Sequence, residues 1–115
     1  MTPVVFSLPG NEAFADSLAS FLDAERGEAT IRSFPDGETY VRVDHEITGR
    51  ATCIVGTLDH PDDKILPLWF LAETLRDLGA TQVGLVAPYL AYMRQDTRFQ
   101  PGEGITSRYF AKMMS

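Results

Sequence analysis

The residues best suited to bind a ligand lie in one long connecting segment, residues 88–105. Arg94 and Arg98 carry guanidinium groups that can pair with phosphate oxygens or stack on a planar base. Gln95 and Asp96 add a hydrogen-bond donor and an acceptor. Connections longer than about 12 to 15 residues are uncommon in compact domains unless they are functional or disordered. A ligand-binding loop and a solvated loop with local ion pairs both fit this composition.

A second candidate group lies in a tight turn at residues 34–38. Phe34 is suited to stack on a base or a ribose, and the carboxylates of Asp36 and Glu38 can accept hydrogen bonds from it. An ordinary turn explains the same residues, because proline pre-sets one turn position and glycine relieves another. Both interpretations stay open at this point.

Composition excludes several functional classes. The net charge of −6 argues against nucleic-acid binding, which needs clustered lysine and arginine. The sequence has no apolar stretch near 18 residues and no basic leader, so we expect a cytoplasmic protein that does not enter a membrane. His45 and His60 lie in separate segments and predict no metal site, and Cys53 lies in an apolar run typical of a small buried side chain.

Short apolar runs between turn residues predict the strands. The run at residues 40–43 alternates and follows a Pro-Asp-Gly turn, so it should form a hairpin or bent pair with the run before it. The near-continuous apolar run at residues 52–56 is typical of a parallel strand that is buried on both faces. The predicted strands are residues 3–7, 29–33, 40–43, 52–56 and 82–87.

Apolar residues at helical spacing predict three helices. The first follows Asn11, a candidate N-cap, and the third covers residues 108–114 after a cap at Thr106 or Ser107. The second covers about residues 64–78 and should begin close enough to Pro67 for that proline to fall in its first turn, with Asp62 and Asp63 near its positive end and Gly79 after its end. The predicted apolar faces are Phe14, Leu18, Phe21 and Leu22 in the first helix, and Ile65, Leu68, Trp69, Ala72 and Leu75 in the second.

This alternation of strands and helices predicts a single α/β domain, residues 1–115, with a mostly parallel sheet flanked by helices in three layers. Ligands of such sheets bind beyond the carboxyl ends of the strands. The 88–105 segment leaves the predicted strand 82–87 at such an end, so its position favours a binding role.

Two segments together resemble the ribose-phosphate pyrophosphokinase family: FPDGETYVRV at residues 34–43 and VAPYLAYMRQD at residues 86–96. Residues 9–11 and 105–107 add to the similarity, which covers essentially all 115 residues. The resemblance implies a phosphoribosyltransferase-like fold that forms the N-terminal half of a two-domain subunit. The family's C-terminal domain, which binds ribose 5-phosphate, is absent from this chain.

The resemblance also implies a reaction. Members of the family transfer the diphosphoryl group of ATP to ribose 5-phosphate, giving phosphoribosyl pyrophosphate and AMP, and they require Mg²⁺. Electrostatic neutralisation and in-line positioning should dominate such a transfer. We expect the isolated 115-residue chain to be inactive, and we assign it no catalytic residue and no metal ligand.

By position in the family's motifs, one wall of the implied ATP site is formed by Arg94, Gln95, Asp96 and Arg98. Arg94 is expected against the adenine. The second wall consists of Phe34, Asp36 and Glu38, and in the family it comes from a neighbouring subunit. The resemblance therefore implies a homo-oligomer in which the ATP site is shared between subunits.

The sequence departs from the family pattern in two places. Residues 97–103 differ from the usual continuation of the loop, so no role is carried over beyond Arg98. Thr48 stands where many members have an arginine of an allosteric phosphate site, which indicates a branch without ADP regulation. Two alternatives remain: a non-catalytic module that assembles with or regulates an active synthetase, and an unrelated α/β module without a ligand.

Overall fold

A computed structural model describes residues 2–88 and 97–114 of the chain. In these residues nine elements follow one another along the sequence. The strands are β1 (Val4–Ser7), β2 (Glu25–Arg26), β3 (Ala29–Ser33), β4 (Thr39–Val43), β5 (Ala51–Val55) and β6 (Gln82–Val86), and the helices are α1 (Glu12–Phe21), α2 (Asp62–Asp77) and α3 (Thr106–Met114).

Four strands form a parallel sheet in the order β2-β1-β5-β6. The hairpin β3–β4 forms a separate antiparallel pair. The predicted mostly parallel α/β fold and the predicted hairpin are therefore confirmed. Strand β2 was not predicted, because its two residues are polar or charged and form no apolar run.

The central strands are buried on both faces, which explains their continuous apolar sequences. On one face Phe6 and Ile54 pack with α2 through Leu71. On the other face Val5 packs with Ala15 of α1. The molecule thus has three layers, α1, the parallel sheet and α2. The inner face of the β3–β4 hairpin completes the α2 layer; it packs on the core through Ala29, Ile31, Val41 and Val43.

Helix α1 faces the sheet with alanines, so the predicted apolar face of Phe14, Leu18, Phe21 and Leu22 is largely wrong. Ala15 and Ala19 are buried, and Leu18 is partly buried. Phe21 is 86% exposed. Small side chains let a helix lie close to a sheet, and the larger residues are then left on its outer side.

Helix α2 begins at Asp62, slightly earlier than predicted, and Gly79 follows its end with a φ of +101°. Pro67 is the sixth residue of the helix, so its predicted place in the first turn is wrong. A proline there removes one internal hydrogen bond from the helix. Leu68, Leu71 and Leu75 are buried, whereas Trp69, predicted on the apolar face, is 47% exposed.

Helix α3 begins at Thr106, two residues before its predicted first residue, and buries Phe110. Cys53 is half-buried in β5, and this burial raises the pKa of its thiol, which supports its interpretation as a packing residue. No helix in the described part of the chain is long and apolar enough to cross a bilayer.

Candidate functional site

The candidate residues Phe34, Asp36 and Glu38 lie at the tip of the β3–β4 hairpin. The Gly37 amide donates to the Phe34 carbonyl at 2.8 Å, and the Phe34 amide donates to the Glu38 carbonyl at 2.7 Å. Gly37 has a φ of +94°, a conformation that L-residues with a side chain rarely adopt. This is a three-residue hairpin loop, a type I turn followed by a left-handed residue. The predicted turn is therefore present. Its geometry also fixes the direction in which the side chains of Phe34, Asp36 and Glu38 point.

Successive side chains of a strand point to opposite sides, so the hairpin has an inner and an outer face. Ile31 and Val41 face inward and pack on the core. Phe34 lies on the outer face, 42% exposed, with its ring edge-to-face against Tyr40 at a centroid distance of 5.6 Å. An aromatic ring that remains this exposed is available for stacking on a ligand.

The hairpin tip is acidic. The side chain of Asp36 accepts a hydrogen bond from the Glu38 amide at 3.1 Å, and this bond holds the pKa of Asp36 below its usual value. Carboxylates here can accept hydrogen bonds from an amino group or from hydroxyl groups, but they repel phosphate. The tip is suited to the uncharged end of a nucleotide, and the phosphates must be neutralised elsewhere.

The tip end of the hairpin lies at the carboxyl edge of the parallel sheet. A cavity of about 300 Å³ separates Ser33 and Thr39 near the tip from Pro9, which follows β1, and from Lys64 in the first turns of α2. Strand β6 runs parallel to β5 and ends beside it, with Val86 opposite Val55. The 88–105 segment therefore leaves the sheet at this same edge, as the sequence predicted.

Side-chain hydrogen bonds fasten the loops at this edge. Asn11 is the N-cap residue of α1, as predicted, but its side chain makes no capping hydrogen bond. Its amide group instead donates to the Thr57 hydroxyl at 2.8 Å and accepts from the Thr57 backbone amide at 3.1 Å. Lys64 donates to the Thr57 carbonyl and pairs with Asp59. The loops after β1 and β5 are thereby tied to each other and to α2.

Of the loop residues predicted to bind a ligand, Arg94, Gln95 and Asp96 lie outside the described residues. Arg98 is exposed, and its Nε donates to the Glu103 carbonyl at 2.8 Å. The Glu103 carboxylate in turn accepts from the backbone amides of Phe99 and Gln100. Sequence reasoning missed this role of Glu103, although a carboxylate that closes a turn near Pro101 and Gly102 is a common local arrangement.

Arg98 also faces the start of α3. The Ile105 backbone amide and the Arg98 guanidinium both lower the pKa of the Tyr109 hydroxyl. The described contacts of Arg98 thus lie in its own turn and at α3, and none of them joins it to the hairpin tip.

Two further residues beside Phe34 were not singled out from the sequence. Arg32 and Tyr40 are direct partners across the hairpin. The Arg32 guanidinium carbon lies 4.5 Å from the centre of the Tyr40 ring and 5.5 Å from that of Phe34. The available signal was their spacing, since each lies two residues from a candidate residue on the same face of a predicted hairpin.

Within residues 2–88 and 97–114 no group of three or more His, Cys, Asp or Glu side chains is placed to hold a metal ion. The carboxylates of Asp36 and Glu38 occupy the hairpin tip, with no third such ligand beside them. These residues do not form a metal centre.

The element order and the parallel sheet define the chain as an α/β domain with a phosphoribosyltransferase-like fold. It superposes on a purine phosphoribosyltransferase from Pyrococcus horikoshii with a TM-score of 0.60 at 13% identity, over 78% of this chain and 64% of that one. It superposes on phosphoribosylpyrophosphate synthetase from Mycobacterium smegmatis with a TM-score of 0.90 at 23% identity, over 99% of this chain and 39% of that one.

Sequence comparison gives the family. Residues 3–115 match the sequence model of the N-terminal domain of ribose phosphate pyrophosphokinase, and the chain belongs to this family. It is 41% identical over 101 residues to the ribose-phosphate pyrophosphokinase of Saccharolobus solfataricus, and 42% identical over 104 residues to that of Methanobrevibacter smithii. These alignments cover 87% and 90% of this chain but 35% of each relative, so the chain spans little more than a third of their length.

Proposed function

We propose that this chain supplies part of the ATP site of a ribose-phosphate diphosphokinase, which transfers diphosphate from ATP to ribose 5-phosphate. The observation that carries the proposal is the exposed Phe34 ring on a hairpin tip that also bears the carboxylates of Asp36 and Glu38, at the carboxyl edge of the parallel sheet. Membership of the pyrophosphokinase family supplies the reaction. A cytoplasmic location is part of the proposal, because ATP and phosphorylated sugars are intracellular metabolites.

The two candidate segments form two walls of the ATP site. Phe34 stacks on the adenine, and Asp36 and Glu38 accept hydrogen bonds from its amino group or from the ribose hydroxyls. The acidic tip repels the triphosphate, so the phosphates lie towards the 88–105 segment. In that segment Arg94 lies against the adenine and forms the wall opposite Phe34, Gln95 and Arg98 also contact ATP, and Asp96 contacts ATP and supports the segment.

The transfer itself needs alignment and charge neutralisation more than covalent chemistry by the protein. The 1-hydroxyl oxygen of ribose 5-phosphate bonds to the β-phosphorus of ATP. The bond from that phosphorus to the oxygen it shares with the α-phosphate breaks, and AMP leaves with that oxygen. The hydroxyl proton passes to a base that we do not assign to this chain. Magnesium bound with ATP would reduce the negative charge of the triphosphate, and the family resemblance assigns its protein ligands mainly to the C-terminal domain.

The proposal includes a homo-oligomer, with the hairpin of one subunit completing the ATP site of its neighbour. It is supported by the outward projection of Phe34 from the hairpin, on the side away from the chain's own core. ATP binding then depends on assembly, and dissociated subunits should bind it poorly.

A second candidate is a non-catalytic module that assembles with a synthetase. One observation favours it: an apolar groove of about 390 Å³ lies between α2 and α3 and leaves large side chains exposed. Patches of this kind are typical of interaction surfaces. The residues that line the groove are Asp62, Ile65, Leu66, Thr106, Tyr109, Phe110 and Met113.

Calorimetric titration with a magnesium-bound, non-hydrolysable ATP analogue tests the proposal, with the mass measured in parallel by light scattering. We expect binding by an oligomer that is weakened at least several-fold by Phe34→Ala and by Arg94→Ala. Phe14→Ala is the matched control, because Phe14 is similarly exposed, 46%, but lies on α1. An oligomer that binds no nucleotide would favour the non-catalytic module.

A further inference from the structure

Arg32 lies against both rings on the outer face of the hairpin. Its guanidinium carbon is 4.5 Å from the centre of the Tyr40 ring and 5.5 Å from the centre of the Phe34 ring. The two rings meet edge-to-face at 83°. One cation therefore bridges two aromatic side chains, at distances within the range of about 6 Å over which a cation is attracted to a ring face.

The other arginine on the outer face of this hairpin has a different partner. Arg42 lies on β4 and forms an ion pair with Asp44 at 2.7 Å. Within the described part of the chain, Arg32 has no such carboxylate partner; its guanidinium lies against the two rings, and the residue also lines the cavity near Ser33 and Thr39. Arg32 is thus held by the rings of Phe34 and Tyr40, whereas Arg42 is held by its ion pair with Asp44.

We propose that Arg32 is a positioning residue for Phe34. The guanidinium clamps the ring of Phe34 to the fixed ring of Tyr40, so that a base meets an ordered stacking surface. The inference rests on the proposed adenine site and adds to it a residue that acts through Phe34 and does not itself touch the nucleotide.

The physical reason is the exposure of Phe34. A phenylalanine at a solvated hairpin tip can change rotamer freely, and a base that stacks on it must restrict that motion. Tyr40 is half-buried in β4, directly opposite Arg32, and provides a fixed anchor. A cation–π contact at an exposed site should improve nucleotide affinity about two- to fivefold, since this is the factor that corresponds to its usual strength.

The competing role for Arg32 is direct contact with the phosphates of ATP. Ligands with and without phosphates distinguish this role from the positioning of Phe34. A residue that acts through Phe34 affects adenosine and ATP equally, because both carry the base. A residue that pairs with phosphate affects ATP alone. Adenosine and the non-hydrolysable ATP analogue are therefore both titrated, by NMR chemical shifts, which measure weak binding.

The variants are Arg32→Met, which keeps the length of the side chain but loses its charge, and Arg32→Lys, which keeps the charge. We expect Arg32→Met to weaken both ligands by the same factor, about two- to fivefold, and Arg32→Lys to recover part of the loss. Arg42→Met is the matched control: it removes the same charge from the same face and should leave both affinities unchanged. In a Phe34→Ala background, Arg32→Met should have no further effect.

An NMR measurement without ligand tests whether the Arg32 guanidinium lies against the aromatic rings. Ring currents should shift the Arg32 δ-protons upfield, and Phe34→Leu should reduce the shift. A loss confined to the ATP analogue, equal losses in Arg42→Met, or unchanged affinity in Arg32→Met would each overturn the positioning role and leave the adenine site standing. If the ring-current shift is present but the wild-type chain, shown by light scattering to be an oligomer, binds neither ligand, the adenine site is itself wrong and the inference fails with it.

Discussion

The carboxylate of Glu25 pairs with the guanidinium of Arg50, which joins the edge strand β2 to the residue that precedes β5. Arg50 also donates to the carbonyl of Thr2 at 2.6 Å, so one cation connects the chain start, β2 and β5. His45 lies 3.1 Å from the other carboxylate oxygen of Glu25. The two-residue edge strand β2 is therefore held by these side-chain contacts as well as by its backbone pairing with β1.

The first prediction concerns the stability of this edge in acid. The hydrogen bond from Arg50, with further bonds from Thr2 and His45, lowers the pKa of Glu25 from 4.5 to about 2. A carboxylate whose pKa is lower in the folded state stabilises the fold when the pH is above its unfolded-state pKa. This stabilisation is lost as the pH falls through the folded-state pKa. The stability difference between wild type and Glu25→Gln should therefore be full above pH 4.5 and should shrink towards pH 2.

Urea unfolding at several pH values measures this difference. Arg50→Met should remove the same pH-dependent part, because it removes the partner that lowers the pKa of Glu25. A difference between wild type and Glu25→Gln that stays constant from pH 6 to pH 2 would contradict the assignment.

The second prediction concerns the two hydrogen bonds between Asn11 and Thr57. Asn11→Ala removes both bonds and leaves the Thr57 amide without its partner, whereas Thr57→Ala removes only the hydroxyl bond. Each bond contributes about 0.5 to 1.5 kcal/mol. We expect Asn11→Ala to lower the free energy of unfolding by about 1 to 3 kcal/mol and Thr57→Ala by about half as much. Equal losses in urea unfolding would mean that the backbone bond contributes nothing.

The third prediction concerns the shape of the hairpin tip. A Cβ at Gly37 would meet no atom within 4 Å, so any cost of a side chain there comes from the φ of +94° alone. Gly37→Ala should cost about 1 to 2 kcal/mol of stability and weaken nucleotide binding. Gly37→Asn should cost less, since asparagine tolerates left-handed backbone better than alanine. If urea unfolding and titration show the same loss for both variants, backbone strain is not the cause.

Much of the fold follows from local sequence. The parallel strands were predictable because β1 and β5 are continuous apolar runs, and the hairpin because Pro-Asp-Gly separates two alternating segments. Helix α1 was predicted, but its buried face was not. A count of large apolar residues favours Phe14 and Phe21, whereas close packing on the sheet selects Ala15 and Ala19.

The candidate site was predictable only in part. The resemblance to the family identified Phe34, Asp36 and Glu38, and the fold places the tip that carries them at the predicted edge of the sheet. Arg32 escaped notice because its contact with Tyr40 depends on the register of the hairpin, which is set by the pairing of two strands and by the exact turn. Pro67 was misplaced for a related reason: tertiary packing, and not local propensity, decides where α2 begins.

The last prediction is that the 115-residue chain alone does not make phosphoribosyl pyrophosphate. Two anionic substrates must be neutralised and held in line, yet within the described residues at least five of the chain's ten basic side chains already pair with carboxylates. These five are Arg26, Arg42, Arg50, Lys64 and Arg76.

The assay supplies MgATP and ribose 5-phosphate and follows AMP and phosphoribosyl pyrophosphate together, with the full-length Saccharolobus solfataricus relative as the positive control. We expect no AMP that depends on ribose 5-phosphate. Product formed by the purified chain, and abolished by Phe34→Ala, would show that this domain holds both substrates by itself. The division of the site between two domains would then be wrong, because the basic residues of this chain would suffice to align the sugar phosphate with the β-phosphorus of ATP.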